Sequence, residues 1–375
     1  MTADPLPSLR AEIDLPAVRH NLGVVRARAA GADVLGVVKA DAYGHGAVAV
    51  SRLLRAQGVE RLAVATLDEA AELREAGLDG PLLVFGAPRP RQLDLYRALG
   101  LELTVSSVEI AAALAEAAPD ARPQRVHLKV DTGMHRLGVP PEAAPETLAR
   151  LRAAGLDVVG LWSHLATADG ADPAFAAEQA RRFQAVLDAV EAPPLVHLLN
   201  GPAAMRGLGA LRLPPGARGV VRAGGALYGL ASDAALAAAH AELRPAMRLV
   251  SDVVHLQTVA PGETVSYGRA WRADRPTRVA TLAAGYADGV PRALSNGGRV
   301  GIGGRLWPIA GRVCMDMLMV DLGDPDGPGG AVALGDEAVL WGPGGPTAEA
   351  QAARAGTIAY ELTAGLTGRV ARVAV

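Results

Sequence analysis

The chain has almost nothing with which to staple itself together. A single cysteine, Cys314, stands among 375 residues, so an internal disulfide is excluded and stability must come from a packed core. One thiol also fits a reducing cytoplasm, which is the expected location. Aromatic residues are scarce, at 3%, while half of the residues are hydrophobic. Alanine, leucine and valine must therefore do most of the packing. Neither sign of charge dominates: 37 basic residues face 39 acidic ones, and the net charge is -2. That argues against the broad electrostatic footprint of a nucleic-acid or anionic-membrane binder. No stretch approaches the roughly 20 uninterrupted apolar residues of a membrane span. Met1–Leu15 carries Asp4, Arg10, Glu12 and Asp14 and no apolar run of signal-peptide length. No His, Cys, Asp and Glu stand at a metal-ligand spacing. A soluble, intracellular protein without a metal is the expectation.

What the sequence does have is alternation. From about Val34 to Leu230 a short apolar run is followed by a longer amphipathic one, over and over. The strand-like runs are Val34–Lys39, Arg61–Thr66, Pro81–Phe85, Leu101–Val105, Arg125–Asp131, Leu156–Ser163, Leu195–Asn200 and Gly219–Arg222. Between them, Asp68–Gly77, Arg91–Leu99, Val108–Ala118 and Glu178–Val190 read as helices. The strand runs are apolar almost throughout, the pattern of parallel strands buried on both faces. Eight β-then-α units predict a (β/α)8 barrel, with an open doubly wound sheet as the alternative. After about His240 the pattern changes. Arg248–Gln257, Arg278–Ala283, Arg299–Ile302, Arg305–Ala310, Met317–Asp321 and Glu337–Trp341 read as short strands, densely punctuated by Gly and Pro. The expectation is an α/β chain of two domains, a (β/α)8 barrel over residues 1–240 and a mostly β domain over 241–375.

In such a barrel, function gathers at the C-terminal ends of the strands. Lys39 follows the first strand, in Val37-Val38-Lys39-Ala40-Asp41-Ala42-Tyr43-Gly44-His45-Gly46. Arg136 lies after the fifth, His164 after the sixth, and Asn200 and Gly201 after the seventh. Arg222, Gly224 and Gly225 follow the eighth. Such a convergence predicts a site for an anionic ligand. Read alone, Lys39 is either a rim lysine whose stem lies on apolar surface or a desolvated amine able to form a Schiff base. The adjoining Tyr43-Gly44-His45-Gly46 favours the second, because it sets a hydroxyl, an imidazole and two flexible backbone positions beside the amine. Gly224 and Gly225 alone would merely close a turn. With Arg222 and Asn200-Gly201 they read as a phosphate cradle.

Over nearly the whole chain these tracts resemble the alanine racemase family. Val37–Gly46 is similar to its cofactor-lysine signature. Ala11–Leu15 and His20-Asn21-Leu22 match its opening. Lys129–Gly138, Ser163–Ala166, Val196–Asn200 and Arg222–Gly229 match its barrel, and Val265–Arg269, Ala284–Gly289 and Gly311–Asp321 its β domain. The resemblance implies a homodimer of fold-type III subunits, each with a barrel that binds pyridoxal 5'-phosphate (PLP), and active sites at the dimer interface. It implies that Lys39 holds PLP covalently. Tyr43, His164, Asn200, Gly224, Gly225 and Tyr360 would surround or bind the cofactor, with Gly201 contributing a backbone N–H. Arg222 would approach the pyridine nitrogen, and Arg136 would help place the substrate carboxylate. Tyr267, Met315 and Asp316 would reach in from the partner subunit. Lys129 matches a position that some members carbamylate.

The implied reaction interconverts L- and D-alanine, with D-alanine destined for peptidoglycan. Racemisation removes the α-proton and returns one to the opposite face, which asks for two acid/bases on opposite sides of a planar intermediate. Lys39 can serve one face and Tyr267 the other. Tyrosine ordinarily titrates near 10, so a neighbour must make it a competent base; His164 is the candidate.

Two positions depart from the family pattern. Gly201 stands where many members have a serine, and Gly225 where a β-branched residue is common. Outside its motif, Tyr267 would read as a packed or rim tyrosine, and Met315 as core. Cys314 reads as a buried small hydrophobe, His197 as a support beside Arg222, and His127 and His255 as structural. Asp68, Glu69, Glu72 and Glu75 read as a solvated helix face. A broader racemase acting on serine or basic amino acids is the alternative function on the same scaffold, decided by pocket size. Further off lie a PLP decarboxylase of the same fold type, a PLP carrier and a non-catalytic binding module.

Overall fold

A computed structural model describes residues 8–116 and 123–375. The last two residues of the helix expected at Val108–Ala118 therefore lie outside the described part. Strand β1, Leu9–Ile13, belongs to the second domain. Eight parallel strands then close into a barrel: β2 Asp33–Val37, β3 Arg61–Val64, β4 Leu82–Val84, β5 Glu102–Val105, β6 Arg125–Lys129, β7 Asp157–Trp162, β8 Leu195–His197 and β9 Arg218–Ala223. The closing pair is β2 with β9, Leu35 opposite Arg222. The eight expected strands are all present; most end a residue or more short of the expected bounds, while β2 begins one residue earlier and β9 is one residue longer at each end. The open-sheet alternative falls away.

Helices follow the strands and cover the barrel, and their starts are legible in local chemistry. Asp14 opens Leu15–Arg28 by accepting from Ala17 N at 2.8 Å. Thr66 and Glu69 form a capping box at Leu67–Glu75. Asn200 caps Gly201–Arg206 through Ala203 N at 3.0 Å. Caps of this kind are each worth about 1 kcal/mol. They also fix where a loop ends and a helix begins, and so where the residues at the strand ends point.

The barrel interior is divided. Leu35, Val37, Ala63, Leu83, Leu195 and Val220 pack as one apolar cluster. Alternate positions on β5, β6, β8 and β9 instead bury Glu102, Thr104, His127, Lys129, His197 and Arg222. Glu102 is the anion of this half. It accepts from His127 Nε2 at 2.8 Å, from Arg61 at 2.8 Å and from Arg125 at 2.7 Å. Burial alone would push its carboxyl up. The His127 hydrogen bond and the two guanidinium groups outweigh that and hold it down at about 2. A carboxyl held below its ordinary value stabilises the fold at pH values above that ordinary value, and the contribution fades as pH falls toward the depressed one. Glu102→Gln is therefore expected to cost roughly 3 kcal/mol at neutral pH, since the buried cations lose their anion. It should also flatten the loss of stability between the ordinary carboxylate value of 4.5 and about 2. Denaturant unfolding of both proteins from neutral to acid pH checks this. Parallel acid limbs would mean that Glu102 does not carry that dependence.

The second domain is built on a long strand, β10, Met247–Val259. A two-residue pair, β11 Thr264–Val265 and β12 Trp271–Arg272, stands off the main sheet. The rest comprises β13 Thr277–Leu282, β14 Arg299–Ile302, β15 Arg305–Pro308, β16 Leu318–Asp321, β17 Glu337–Trp341 and β18 Ala371–Ala374. The main sheet runs β15-β14-β17-β10-β1-β18, with β13 also on β10 and β16 on β13. Strand β1 pairs antiparallel with β10, Leu9 opposite Ser251, and parallel with β18, Arg10 opposite Ala371. The chain thus begins its described course in the sheet where it ends, and this ties the two domains together. Neither terminal strand is among the expected ones.

Candidate active site

Lys39 stands two residues beyond β2, at the barrel mouth. The chain that follows does something unusual. Ala40, Asp41, Ala42 and Tyr43 have φ of 52, 51, 53 and 55°, and Gly44 has φ 84°. This is a left-handed helical turn built mostly from residues with a Cβ, each of which costs roughly 1–2 kcal/mol there. Surrounding contacts must hold it. Glu69 accepts from Ala40 N and Ala65 N, both at 2.7 Å. Buried His45 donates from Nδ1 to the Ala42 and Tyr43 carbonyls at 3.0 and 2.9 Å. Gly44 lies so close to the second domain that a Cβ would fall 1.9 Å from the Thr363 carbonyl oxygen.

The turn opens onto a cavity of about 560 Å3 at the C-terminal ends of the strands, within the size range of cofactor sites. Lys39, Tyr43, Arg136, His164, Asn200, Gly201, Arg222, Gly224, Gly225 and Tyr360 all line it, as do Lys129 and Trp162. Ten expected site residues from five strand ends and the second domain thus meet in one place. Four of the lining groups are cations. The carboxylates present are Asp169 and Glu361. Asp169 accepts from the Ser232 hydroxyl at 2.9 Å, and Glu361 accepts from the Thr357 hydroxyl. The surplus charge calls for an anionic ligand.

Arg222 is buried in the lining. Its Nη2 donates to the Ser163 and Leu198 carbonyls at 2.8 and 3.2 Å, and to His164 Nδ1 at 3.1 Å. Its Nη1 is buried without a partner, an orphan that a ligand atom would satisfy. A guanidinium can only donate, so His164 Nδ1 is an acceptor and the ring carries its proton on Nε2. Burial, followed by the charges of Arg222, Arg136, Lys129 and Lys39, holds His164 well below its ordinary value. Burial and Arg136 bring Arg222 down to about 9, still charged at neutral pH. Burial and Arg222 bring Lys129 to about 8. Trp162 spreads beneath both, 4.8 Å from Lys129 Nζ and 5.0 Å from Arg222 Cζ. Burial, then Arg136, lowers Lys39 as well, against the pull of Glu69.

Another part of the lining is a cradle made by missing side chains. A Cβ on Gly224 would fall 2.5 Å from the Tyr43 hydroxyl, and one on Gly225 would fall 2.3 Å from the Tyr360 hydroxyl. Main chain is bared there beside two phenols, which meet edge-on at 5.4 Å. A β-branched residue at 225 would not fit this placement of Tyr360. Gly201 differs, since its nearest neighbour to a Cβ is Ala226 Cβ at 3.4 Å. Burial raises Tyr43 above its ordinary range and Tyr360 to about 12. Both therefore stay neutral donors. A lysine amine, an anion cradle and an orphan buried guanidinium suit a phosphorylated aromatic aldehyde with a ring nitrogen, and the residues fit PLP.

Three expected residues are elsewhere in the chain. Tyr267, Met315 and Asp316 share a separate surface hollow of about 450 Å3 on the second domain. Tyr267 is 72% exposed and Met315 52%. They are nonetheless held firmly. Ser266 has φ 70°, and its hydroxyl donates to the Arg312 carbonyl at 2.8 Å. Tyr286 N and Ala287 N donate to the Cys314 and Met315 carbonyls, both at 3.0 Å. Arg369 bridges Asp288 and Asp316 at 3.0 and 2.8 Å. The Ala284–Gly289 motif thus serves as a bracket for Met315-Asp316.

Two readings need correction. Cys314 is half-buried, within 3.6 Å of the Ser266 hydroxyl, and is not a core hydrophobe. Glu69 is no solvated carboxylate, since it holds Ala40 and Ala65; the Thr66-x-x-Glu69 spacing before an apolar run was the signal for it. Glu102, Asp41 and Arg372 went unremarked, and no spacing marks them.

Fold and site define a two-domain barrel enzyme with a lysine amine and an anion cradle in one cavity. Comparison with known proteins narrows this. The family models "Alanine racemase, N-terminal domain" and "Alanine racemase, C-terminal domain" match residues 13–232 and 246–374. The chain is 42% identical to the alanine racemase of Chlorobaculum tepidum, covering 97% of this chain and 95% of that protein. It is also 42% identical to that of Thermobifida fusca, covering 97% of each. Among solved structures, an alanine racemase of Clostridium difficile 630 superimposes with a TM-score of 0.90 at 35% identity, covering 99% of this chain and 97% of that one. The chain belongs to the alanine racemase family, whose members are PLP-dependent isomerases. Among the described residues no helix is long and apolar enough to cross a membrane, and no His/Cys/Asp/Glu group could hold a metal.

Proposed function

We propose that this chain interconverts L- and D-alanine in the cytoplasm as a homodimer, with PLP carried on Lys39 and D-alanine supplied to peptidoglycan. The observation that carries the reading is that Lys39, the Gly224-Gly225 cradle and buried Arg222 line one cavity. Gly201, Gly224, Gly225, Tyr43 and Tyr360 would hold the cofactor phosphate, with Asn200 shaping that end. Arg222 would face the ring nitrogen. It keeps its proton at neutral pH, so that nitrogen would stay unprotonated and side reactions such as transamination would be limited. Bound PLP supplies the electron sink for the pair left when the α-proton departs.

The chain's own residues move the proton. Lys39 Nζ, lowered by burial and Arg136, accepts or returns it on one face. Tyr267 of the partner subunit serves the other face from its phenol oxygen, with the Nε2–H of His164 as a donor to that oxygen. Arg136 would hold the substrate carboxylate. Met315 and Asp316 would complete the wall from the partner's side. Support for the dimer comes from the exposure of Tyr267, Met315 and Met317 on one hollow. An apolar patch of that kind marks an interaction surface, and within one chain Tyr267 lines no part of the cavity that holds Lys39.

A coupled assay on PLP-loaded protein with L-alanine, L-serine, L-lysine and L-arginine in parallel tests the reading. Fast conversion of alanine alone is expected. Comparable turnover of the others would move the chain to the broad-specificity class, and bound chromophore without turnover would make it a binding module. Gly201→Ser offers a finer check. The position has room for a Cβ, and the added hydroxyl should gain about 1 kcal/mol toward the phosphate. Several-fold tighter retention of PLP on dialysis is expected; unchanged or weaker retention would place the phosphate away from residue 201.

A further inference from the structure

The left-handed turn after Lys39 is held from three sides, and one of them is remote in sequence. Glu69 fixes its start, and His45 fixes its inner carbonyls. Its far end is gripped by Arg372, from the last strand, β18. Arg372 Nε lies 3.2 Å from the Gly44 carbonyl oxygen and 3.4 Å from Asp41 Oδ2. The rest of the guanidinium is committed to the second domain. Nη1 donates to the Thr367 and Val370 carbonyls, both at 2.7 Å, and Nη2 to Leu366 at 2.9 Å. Asp41 is committed too, because its Oδ1 accepts from Ala47 N at 2.7 Å. Both ends of the contact are therefore fixed in register, and the side chain is mostly buried.

We propose that Arg372 is a positioning residue for Lys39: by clamping Asp41 and the Gly44 carbonyl to the second domain, it keeps the turn left-handed and so sets where the lysine amine enters the cavity. This rests on the reading that Lys39 carries the cofactor. The physical case is one of preference. Four residues with a Cβ will not stay left-handed by themselves; such strain persists only where the surroundings over-determine it. A turn released at its far end relaxes toward ordinary backbone angles, and Lys39 is the residue from which it departs. Five donors in a rigid fork suit the task. A lysine in their place offers a point charge on a flexible stem and cannot satisfy four carbonyls at once.

The test is a cycle of three proteins: Arg372→Lys, Ala40→Gly and the pair together. Cofactor content, visible circular dichroism of the bound cofactor, kcat, KM and Tm are measured on each. A misplacement of about 1 Å costs on the order of 10²-fold in rate, so Arg372→Lys is expected to lose that much in kcat, with little change in KM. Its cofactor dichroism should shift. Glycine adopts left-handed angles without steric cost. Ala40→Gly should therefore return most of the lost kcat to the Arg372→Lys protein. A stabiliser of the C-terminal strand alone would lower Tm without that rescue, and that result would overturn the proposal. So would wild-type kcat in Arg372→Lys. Should Arg372→Lys not fold, Asp41→Asn takes its place, since it keeps the acceptor for Ala47 N and breaks only the ion pair. The same loss and the same rescue are expected, and an unaltered kcat overturns the proposal. An error in the cofactor reading would appear separately, in the unsubstituted protein.

Discussion

Tyr267→Phe is expected to stop racemisation while leaving the cofactor in place. The change removes one oxygen from a side chain that is 72% exposed, so the core is untouched. The ring remains to fill whatever contact it makes. Tyr267 lines no part of the cavity that holds Lys39, Arg222 and the glycine cradle, so cofactor content should match the parent. Loss of a positioned proton group removes roughly 10²–10⁴-fold in rate, and here one face of the substrate is left without any such group. The informative readout is solvent exchange. In deuterated water, Lys39 should still exchange the α-hydrogen of one enantiomer, while conversion to the other stops. Near-normal conversion would sink the assignment of Tyr267. Loss of exchange with both enantiomers would show that the phenol holds the substrate rather than moving a proton.

The barrel was legible because its strands obey a simple rule. Segments buried on both faces must be apolar throughout, and Arg61–Val64 or Leu82–Val84 are hard to read otherwise. The cavity followed from the strands, since residues just past a parallel strand converge at one end of the barrel. That is why Lys39, Arg136, His164, Asn200 and Arg222 group together on strand order alone. The strands β1 and β18 were not legible. Arg10 and Glu12 alternate with apolar residues along β1, which is a half-buried strand's pattern, but the run is only five residues long, and Arg372 interrupts the four residues of β18. Both pair with chain more than a hundred residues away or with each other across the whole sequence. Only tertiary pairing makes them strands.

The left-handed turn was hidden for a related reason. Nothing in Ala40-Asp41-Ala42-Tyr43 favours positive φ, and local propensity points the other way. The angles are imposed by Glu69, His45 and Arg372; only His45 stands beside Lys39 in the sequence, and one-dimensional spacing connects neither Glu69 nor Arg372 to it. The polar half of the barrel was equally silent. Glu102 sits in Glu102–Val105, a run whose one charge looks like a strand-end residue rather than the anion that holds His127, Arg61 and Arg125. The same limit applies to Tyr267 and Met315. Their motif is visible in the sequence, but the surface they share forms only when β11, the Ser266 turn and the Arg312–Met317 loop are brought together.

Lys39→Ala is expected to abolish both turnover and the visible absorption of lysine-bound cofactor. The amine follows the first barrel strand, has its pKa lowered by burial and Arg136, and lines the same cavity as the glycine cradle. PLP should still enter, because the cradle, Tyr43, Tyr360 and Arg222 are unchanged, but it should wash out on dialysis. A band that persists unchanged would mean that another lysine carries it, and Lys129, brought to about 8 in the same cavity, would be next to test. The same variant also tests how the site is assembled. Within one chain, Tyr267 lies on a different surface from Lys39. If two chains close around each cavity, then in a two-fold dimer a mixture of Lys39→Ala and Tyr267→Phe must behave unlike its parts. Each mixed dimer has one site with neither group and one with both, so unfolding and refolding the two inactive proteins together should restore about a quarter of the parent activity. A mixture as inactive as its components would place both proton groups in one chain, and the exposed hollow at Tyr267 would then have to close on its own barrel.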